Sequence, residues 1–265
     1  NRRSYDWITP IVEPFSALEH ETLNTMYNAE VAYEDHLLNP LLRYLNTPER
    51  REQSMVILTS DHGEGLDHHG YVGHSLVTYE DLIRVPLILR YPPHYPAGTA
   101  VDAPISTRRL YHTVLEAAGV EPDGAIADLS LRQAVSPSPS DPAADEPVWS
   151  EAVAPITMVK LMEKQNPEAI ARFRCRETRR AIYEGVTKLI TVGDEPAELF
   201  DVRADPAEVE NRIAEAPALA ERLDRRLAAA VTDARSRRWQ EVGDDIDLSG
   251  RNQLSERLRR LGYVE

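Results

Sequence analysis

Between Asp61 and His74, fourteen residues carry Asp61, His62, Glu64, Asp67, His68, His69 and His74, four of the chain's eight histidines among them. An aspartate beside a histidine, as at Asp61 and His62, offers a carboxylate and an imidazole to a divalent cation. Oxygen donors favour calcium or magnesium, and the imidazole admits manganese or zinc. Gly63, Gly65, Gly70 and Gly73 allow the backbone between these groups to turn sharply, so that neighbouring side chains converge. His74, farther along, is either a third ligand or a group that meets substrate. A lone Asp-His pair is more often a plain turn than a site. Here the pair follows an apolar run, "MVILT" at 55–59, and is accompanied by four glycines and three more histidines. That combination favours a site, because open α/β sheets build their sites just beyond the carboxyl ends of strands.

The elements that must position this loop can be read from periodicity. "SALE", 16–19, is a capping box, and an apolar stripe from Leu23 to Leu45 continues the helix it opens, with Asn39-Pro40 expected to kink or break it. "MVILT" reads as a buried strand, parallel and central; "VPLILRY", 85–91, as a second buried strand; "YEDLIR" between them as a turn or two of helix. "STRRLYHTVLEAAG", 106–119, is a helix capped by Ser106 or Thr107 and ended by Gly119. Helix, strand, loop, strand, helix implies an α/β layered core over residues 1–135. "SPSPSDPAADEP", 136–147, reads as a linker. Residues 148–265 read as a small α+β subdomain and a carboxyl-terminal tail. In it "RRAIYEGVTKLITVG" forms a hairpin turning near Glu184-Gly185, "ELFDV" adds a strand, and an amphipathic helix carries Leu219, Leu223, Leu227 and Val231 four apart.

Several stretches in order resemble the sulfatase family of the alkaline-phosphatase-like superfamily. "ILTSDHGEGLDHHGYVGHSLVTYEDLIRVPLILRYP" resembles the family's strand, its Ser-Asp-His-Gly-Glu loop, a His-Gly, a further Lys or His, Tyr-Glu and Val-Pro-Leu-Ile. "YNAEVAYEDHLLNPLLRYL", "ELFDVRADPAEVENRI" and "LSERLRRLGYVE" resemble the preceding helix, a carboxyl-terminal segment and the usual end. The resemblance implies an alkaline-phosphatase-like α/β fold, a layered sheet with helices on both faces. It implies that Asp61 and His62 are metal ligands, for calcium first and magnesium, manganese or zinc next. His74 matches a position that touches the sulfate or the leaving oxygen, and so is both catalytic and substrate-binding. His69 matches the family's His-Gly and would support the ligands from outside; Glu64 reads first as bracing the loop in the same way and second as a metal ligand. Tyr79 and Glu80 would anchor the loop, and His94, on a loop after the second strand, is a further group within possible reach.

The family uses a formylglycine, made from a cysteine in a Cys-x-Pro-x-Arg setting, and places it with a pair of aspartates upstream of the stretches matched here. Those residues are therefore expected in an N-terminal part that precedes this chain, and the chain alone is expected to be inactive. The single cysteine, in "CRETR" at 175–179, has Glu177 where the motif wants Pro or Ala, so Cys175 reads as a packing residue. The activity implied is hydrolysis of a small-molecule or saccharide sulfate ester. A phosphodiesterase, phosphonate monoester hydrolase or phosphoglycerol transferase of the same superfamily is the alternative, and a non-catalytic metal- or partner-binding fragment the second. Truncation would leave apolar surface for self-association or for the N-terminal part of the same protein.

Composition narrows the partners. The 265 residues are 42% hydrophobic and 28% charged, with a net charge of −14. That balance repels a nucleic-acid backbone, and no apolar run is long enough for a membrane span. One cysteine excludes an intrachain disulfide and leaves the compartment open.

Overall fold

The computed structural model describes residues 11–120, 129–135 and 146–240. Helix α1 (Ala17–Leu45) begins at Ser16, whose Oγ accepts from the Glu19 amide at 3.4 Å while the Glu19 carboxylate accepts from the Ser16 amide at 2.9 Å. This reciprocal cap satisfies two amides at the helix start that have no partner within the helix. The helix runs for 29 residues through Pro40 without a break, contrary to the expectation from Asn39-Pro40. None of its residues is buried. After α2 (Pro48–Arg51), strand β1 (Val56–Thr59) pairs with β4 (Leu87–Arg90), from Val56 opposite Arg90 to Thr59 opposite Leu87. The pairing is antiparallel, and the ladder has two strands among the described residues, where the expected parallel, central position of β1 is not found. Nor are the two strands fully buried: Val56, Ile57 and Leu58 are only partly covered, Thr59 is exposed, and Ile88 is 63% exposed. An all-apolar run announces burial on both faces, but it does not say which polypeptide supplies the cover.

Between these strands lie β2 (Gly65–Leu66), β3 (Val72–Gly73) and α3 (Glu80–Ile83). Helix α4 (Arg109–Ala117) follows β4, with Gly119 at φ +69° ending it as expected. At its start the Ser106 carbonyl accepts from the Arg109 amide at 3.1 Å. Helix α5 (Leu131–Val135) packs on α4: the Thr113 hydroxyl accepts from the Leu131 amide at 2.9 Å. Most of the expected linker, residues 136–145, lies outside the described residues, as does the carboxyl end from residue 241.

A four-stranded antiparallel sheet follows, in the order β5 (Trp149–Ala152), β6 (Arg179–Glu184), β7 (Thr187–Val192), β8 (Glu195–Asp201). The hairpin between β6 and β7 turns at Glu184-Gly185 as the sequence predicts, with Gly185 at φ +59°. Helices α6 (Ile156–Gln165) and α7 (Pro167–Arg172) fill the β5–β6 connection. Their buried Val159, Met162, Ala169 and Ile170 pack with Tyr71, Leu76, Val77 and Leu82 from the segment after the histidine loop. Helix α8 (Pro217–Gln240) closes the described chain and buries Ala220, Leu223 and Leu227. Two compact units divide the chain, Asn1–Asp224 and Arg225–Glu265, with the boundary inside α8.

Register decides which sheet residues face the histidine loop. Side chains alternate across a strand, so Lys188 and Ile190 share one face of β7, with Ala181 and Glu198 opposite Ile190 and Phe200 opposite Lys188. Tyr79 and Ile83 pack on the Ala181, Ile190 and Phe200 side chains of that face. The sheet is thereby the platform on which the loop's carboxyl-terminal end rests.

Candidate metal and substrate site

The loop is folded by short polar contacts and one steric opening. The Ser60 hydroxyl donates to the His62 carbonyl at 2.6 Å, and Asp61 Oδ1 accepts from the His62 amide at 3.1 Å. The Gly63 amide donates to the Leu82 carbonyl at 2.7 Å. A Cβ on Gly63 would sit 2.0 Å from the Asp81 carbonyl oxygen, so only glycine lets the loop dock on α3 this closely. Beyond it, β2 and β3 pair Gly65 with Gly73 and Leu66 with Val72. Their tip is closed by the Asp67 amide donating to the Tyr71 carbonyl at 2.8 Å. Helix α1 reaches this tip, where His20 Nε2 lies 2.8 Å from Asp67 Oδ2. Burial raises the Asp67 pKa, against the pull of His20 and His68.

Carrying the β2–β3 register one pair outward puts Glu64 opposite His74, and strand alternation puts His62, two residues before Glu64, on the same face. The structure has this arrangement. His74 Nδ1 lies 3.1 Å from Glu64 Oε2, and the His62 and His74 rings stack at 4.3 Å between centroids and 20° between planes. One donor atom from each of His62, Glu64 and His74 lies within 4.8 Å of the others. His62 Nδ1 is 2.7 Å from the Gly63 carbonyl, which only accepts, so Nδ1 carries a proton and the lone pair of the neutral imidazole falls on Nε2. Asp61, 87% exposed, sits beside the same imidazole, with Oδ2 3.7 Å from His62 Nε2. Asp61, His62 and His74 are thus brought together. Glu64 stands closer than a bracing role requires, since it faces the cluster itself.

The remaining histidines of the loop are elsewhere. His68 Nδ1 is 2.8 Å from Asp81 Oδ2. His69 stacks on Tyr79 with centroids 3.7 Å apart and hydrogen-bonds to the backbone of Ala207; its burial lowers its pKa. His94 stacks on Tyr91, 5.1 Å between centroids.

What holds the segment after the loop is a set of buried polar contacts that local sequence patterns do not reveal. The Lys188 ammonium, fully buried, lies 3.1 Å from Glu80 Oε1 and 2.7 Å from Glu208 Oε1. The Glu80 carboxylate also accepts from the Tyr183 hydroxyl, and the Glu80 amide donates to Glu208 Oε2 at 2.6 Å. Burial raises the Glu208 pKa, although Lys188 opposes the shift. The Tyr79 hydroxyl donates to Glu198 Oε2 at 3.0 Å, and burial holds the Glu198 pKa above the usual carboxylate range. Arg179, on the same sheet face, donates to the Leu76 carbonyl at 2.8 Å, the Phe173 carbonyl at 2.7 Å and the Tyr71 hydroxyl at 3.0 Å. Burial pushes the Tyr71 phenol up to about 12, so it stays neutral. The signal in the sequence is faint: one of only three lysines, Lys188, inside a strand otherwise made of Thr, Leu, Ile and Val.

The donor chemistry of Asp61 and His62 fits a divalent cation, because a carboxylate oxygen and an imidazole nitrogen stand 3.7 Å apart on one side of the loop. Cys175 does not fit a formylglycine. It is fully buried among Tyr71, Leu76, Met162 and Ile170, burial raises its pKa, and Glu177 two residues on is held by Arg174.

Residues 12–120 match the family described as Sulfatase. Arylsulfatase K of Xenopus laevis is 27% identical over 226 residues, an alignment covering 82% of this chain and 39% of that protein. The chain therefore spans about two fifths of that relative's length. The solved structure of BT4656 in complex with its substrate D-glucosamine-2-N,6-O-disulfate superposes with a TM-score of 0.57 at 24% identity, over 82% of this chain and 41% of that one. The phosphonate monoester hydrolase of Agrobacterium radiobacter superposes at 0.58 with 20% identity, over 77% and 40%. These structures share the alkaline-phosphatase-like α/β fold with the chain. The matched stretch, residues 12–120, is the one that carries the histidine loop, and over it the chain is similar to the sulfatase family.

Proposed function

We propose that this chain is the metal- and leaving-group-binding part of a hydrolase of small-molecule or saccharide sulfate esters. The observation that carries the reading is the Asp61–His62 donor pair with the His74 imidazole stacked against it at the end of β1. Asp61 and His62 would hold a divalent cation, calcium first, and that ion would supply a positive centre for a sulfate oxygen. The chain's own part is positional and protonic. Glu64 fixes His74 through Nδ1, which leaves Nε2 to meet the ester oxygen and hand the departing alkoxide a proton. The Gly63 carbonyl fixes the His62 tautomer, and His69 on Tyr79 stiffens the loop from behind. A formylglycine nucleophile would come from a segment outside these 265 residues, whose one cysteine is buried away from the cluster; a domain boundary at 136–147 belongs to the same reading.

The test uses protein that carries both the nucleophile-bearing segment and this one, assayed on an aryl sulfate and an aryl phosphodiester. Asp61→Ala is expected to strip most of the bound metal and most of the sulfatase activity. His74→Ala is expected to lower turnover about 10²–10⁴-fold, the usual worth of a general acid, while Ca²⁺ stays bound. Metal content unchanged in Asp61→Ala would refute the ligand assignment. Faster turnover of the phosphodiester would move the reading to phosphoryl transfer. The 265-residue chain alone is expected to give background rates on both esters.

A further inference from the structure

Asp61, His62 and His74 account for the proposed reaction, yet a different set of three is assembled by the β2–β3 ladder. The register sets Glu64 across from His74, and His62 shares their face. His74 Nδ1 and Glu64 Oε2 stand 3.1 Å apart, the length of one edge of a compact coordination shell with metal–ligand bonds of about 2.0–2.1 Å. The third donor is prepared in the way zinc ligands are. The proton on His62 Nδ1 is tied to the Gly63 carbonyl at 2.7 Å, which leaves Nε2 as a lone-pair donor of fixed tautomer. Two imidazoles and one carboxylate are a borderline donor set. They suit zinc or cobalt and serve calcium poorly, since calcium takes six to eight oxygens.

We infer that His62, Glu64 and His74 form a transition-metal site, Zn²⁺ first, distinct in its donors from the Asp61–His62 pair. Because the two sets share His62, they exclude each other. A Zn²⁺ ion on the triad removes His62 from the hard cation and engages His74, the imidazole that would otherwise meet the ester oxygen. Occupancy by zinc is thus an off state of the site. The binding half of this inference stands independently of the sulfatase reading; the inhibitory half rests on it.

The 265-residue chain is titrated with Zn²⁺ alone by calorimetry, and with Co²⁺ to read ligand-field bands. One equivalent of Zn²⁺ is expected, with Co²⁺ bands typical of a four- or five-coordinate nitrogen–oxygen site. Glu64→Gln and His74→Ala are expected to weaken Zn²⁺ at least about tenfold each, the scale on which even outer partners of a metal site count. Asp61→Ala is expected to leave Zn²⁺ affinity within a factor of about two while abolishing Ca²⁺ binding. Glu64 and His74 are surface side chains, and unchanged circular dichroism and melting midpoints would show that the variants fold. Zn²⁺ affinity lost in Asp61→Ala but kept in Glu64→Gln would overturn the proposal, because a single Asp61–His62 site would then serve every cation. So would Zn²⁺ binding indifferent to all three variants, which would place the ion elsewhere. In protein competent for turnover, Zn²⁺ should inhibit and Glu64→Gln should relieve that inhibition at least tenfold. Loss of Zn²⁺ inhibition without loss of Zn²⁺ binding would limit the triad to a bystander and defeat the inhibitory half alone.

Discussion

His69 is the loop histidine whose charge state the fold itself controls. It lies half-buried against Tyr79, and burial holds its pKa below the ordinary 6.5. The sign follows directly. In the unfolded chain the imidazole takes up a proton near pH 6.5, whereas in the folded chain it resists until lower pH. Its contribution to stability is therefore present above pH 6.5 and is lost as pH falls through the folded value. Replacing His69 with Phe, which keeps a ring on Tyr79 and removes the titration, is expected to flatten the fall in denaturant midpoint between pH 7 and pH 5 relative to the parent chain. The comparison between the two proteins matters, because the raised pKa values of Glu198 and Glu208 act in the opposite sense above 4.5. At the same scale, Asp61, His62 and His74 were legible as site candidates from residue type and from the strand before them. The closeness of Glu64 to His74 was not, because a two-residue ladder leaves no periodic trace; its register became visible only through the pairing of Gly65 with Gly73. Cys175 was legible as a packing residue, and peptide mass spectrometry is expected to find a plain thiol there rather than an aldehyde.

At the scale of elements, local signals predicted what local forces decide. The β6–β7 hairpin lies where Glu184-Gly185 announced a turn between apolar runs, and α1 starts at its capping box. The direction of β1 depends on which partner lies beside it, and no pattern within "MVILT" encodes that. Pro40 fell in the last turns of a helix long enough to absorb one lost amide donor. Least legible was the ammonium of Lys188, set between Glu80 and Glu208 in a strand whose other residues carry no charge. Lys188→Met would leave two carboxylates facing one another with no cation, and breaking a buried ion set in this way costs about 3–5 kcal/mol. The denaturant midpoint should fall accordingly, and Glu208→Gln added to Lys188→Met should recover part of the loss, since the second change removes the stranded charge. Additivity of the two destabilisations would show that the groups do not act as a unit. Gly63→Ala is expected to destabilise by about 1–3 kcal/mol, because its methyl would meet the Asp81 carbonyl and force the loop off α3.

At the scale of the whole molecule, much of the apolar surface of the described residues is uncovered. Helix α1 exposes Leu18, Met26, Val31, Tyr33, Leu37 and Leu41 by half or more of their surface, and Ile88 does so on β4. Patches of this kind rarely stay wet on a soluble chain. Sedimentation of the 265-residue chain is expected to depend on concentration, and charged substitutions at Leu37 and Leu41 should shift it toward the monomer. No helix among the described residues is long and apolar enough to cross a membrane, so such a span does not account for that surface.

The Arg179 guanidinium adds a consequence in time. It clamps the Leu76 carbonyl from 103 positions further along the chain. At about 5–20 residues per second, a ribosome takes roughly 5–20 s to synthesise that stretch. Throughout this interval the nascent histidine loop has its proposed ligands but neither the arginine nor the lysine that fix the segment beside it. Ions encountered then are met by a slack loop. The segment beside the proposed site is fixed only after β6 and β7 emerge and pair, so a metal ion met during synthesis and one met afterward would encounter differently ordered loops.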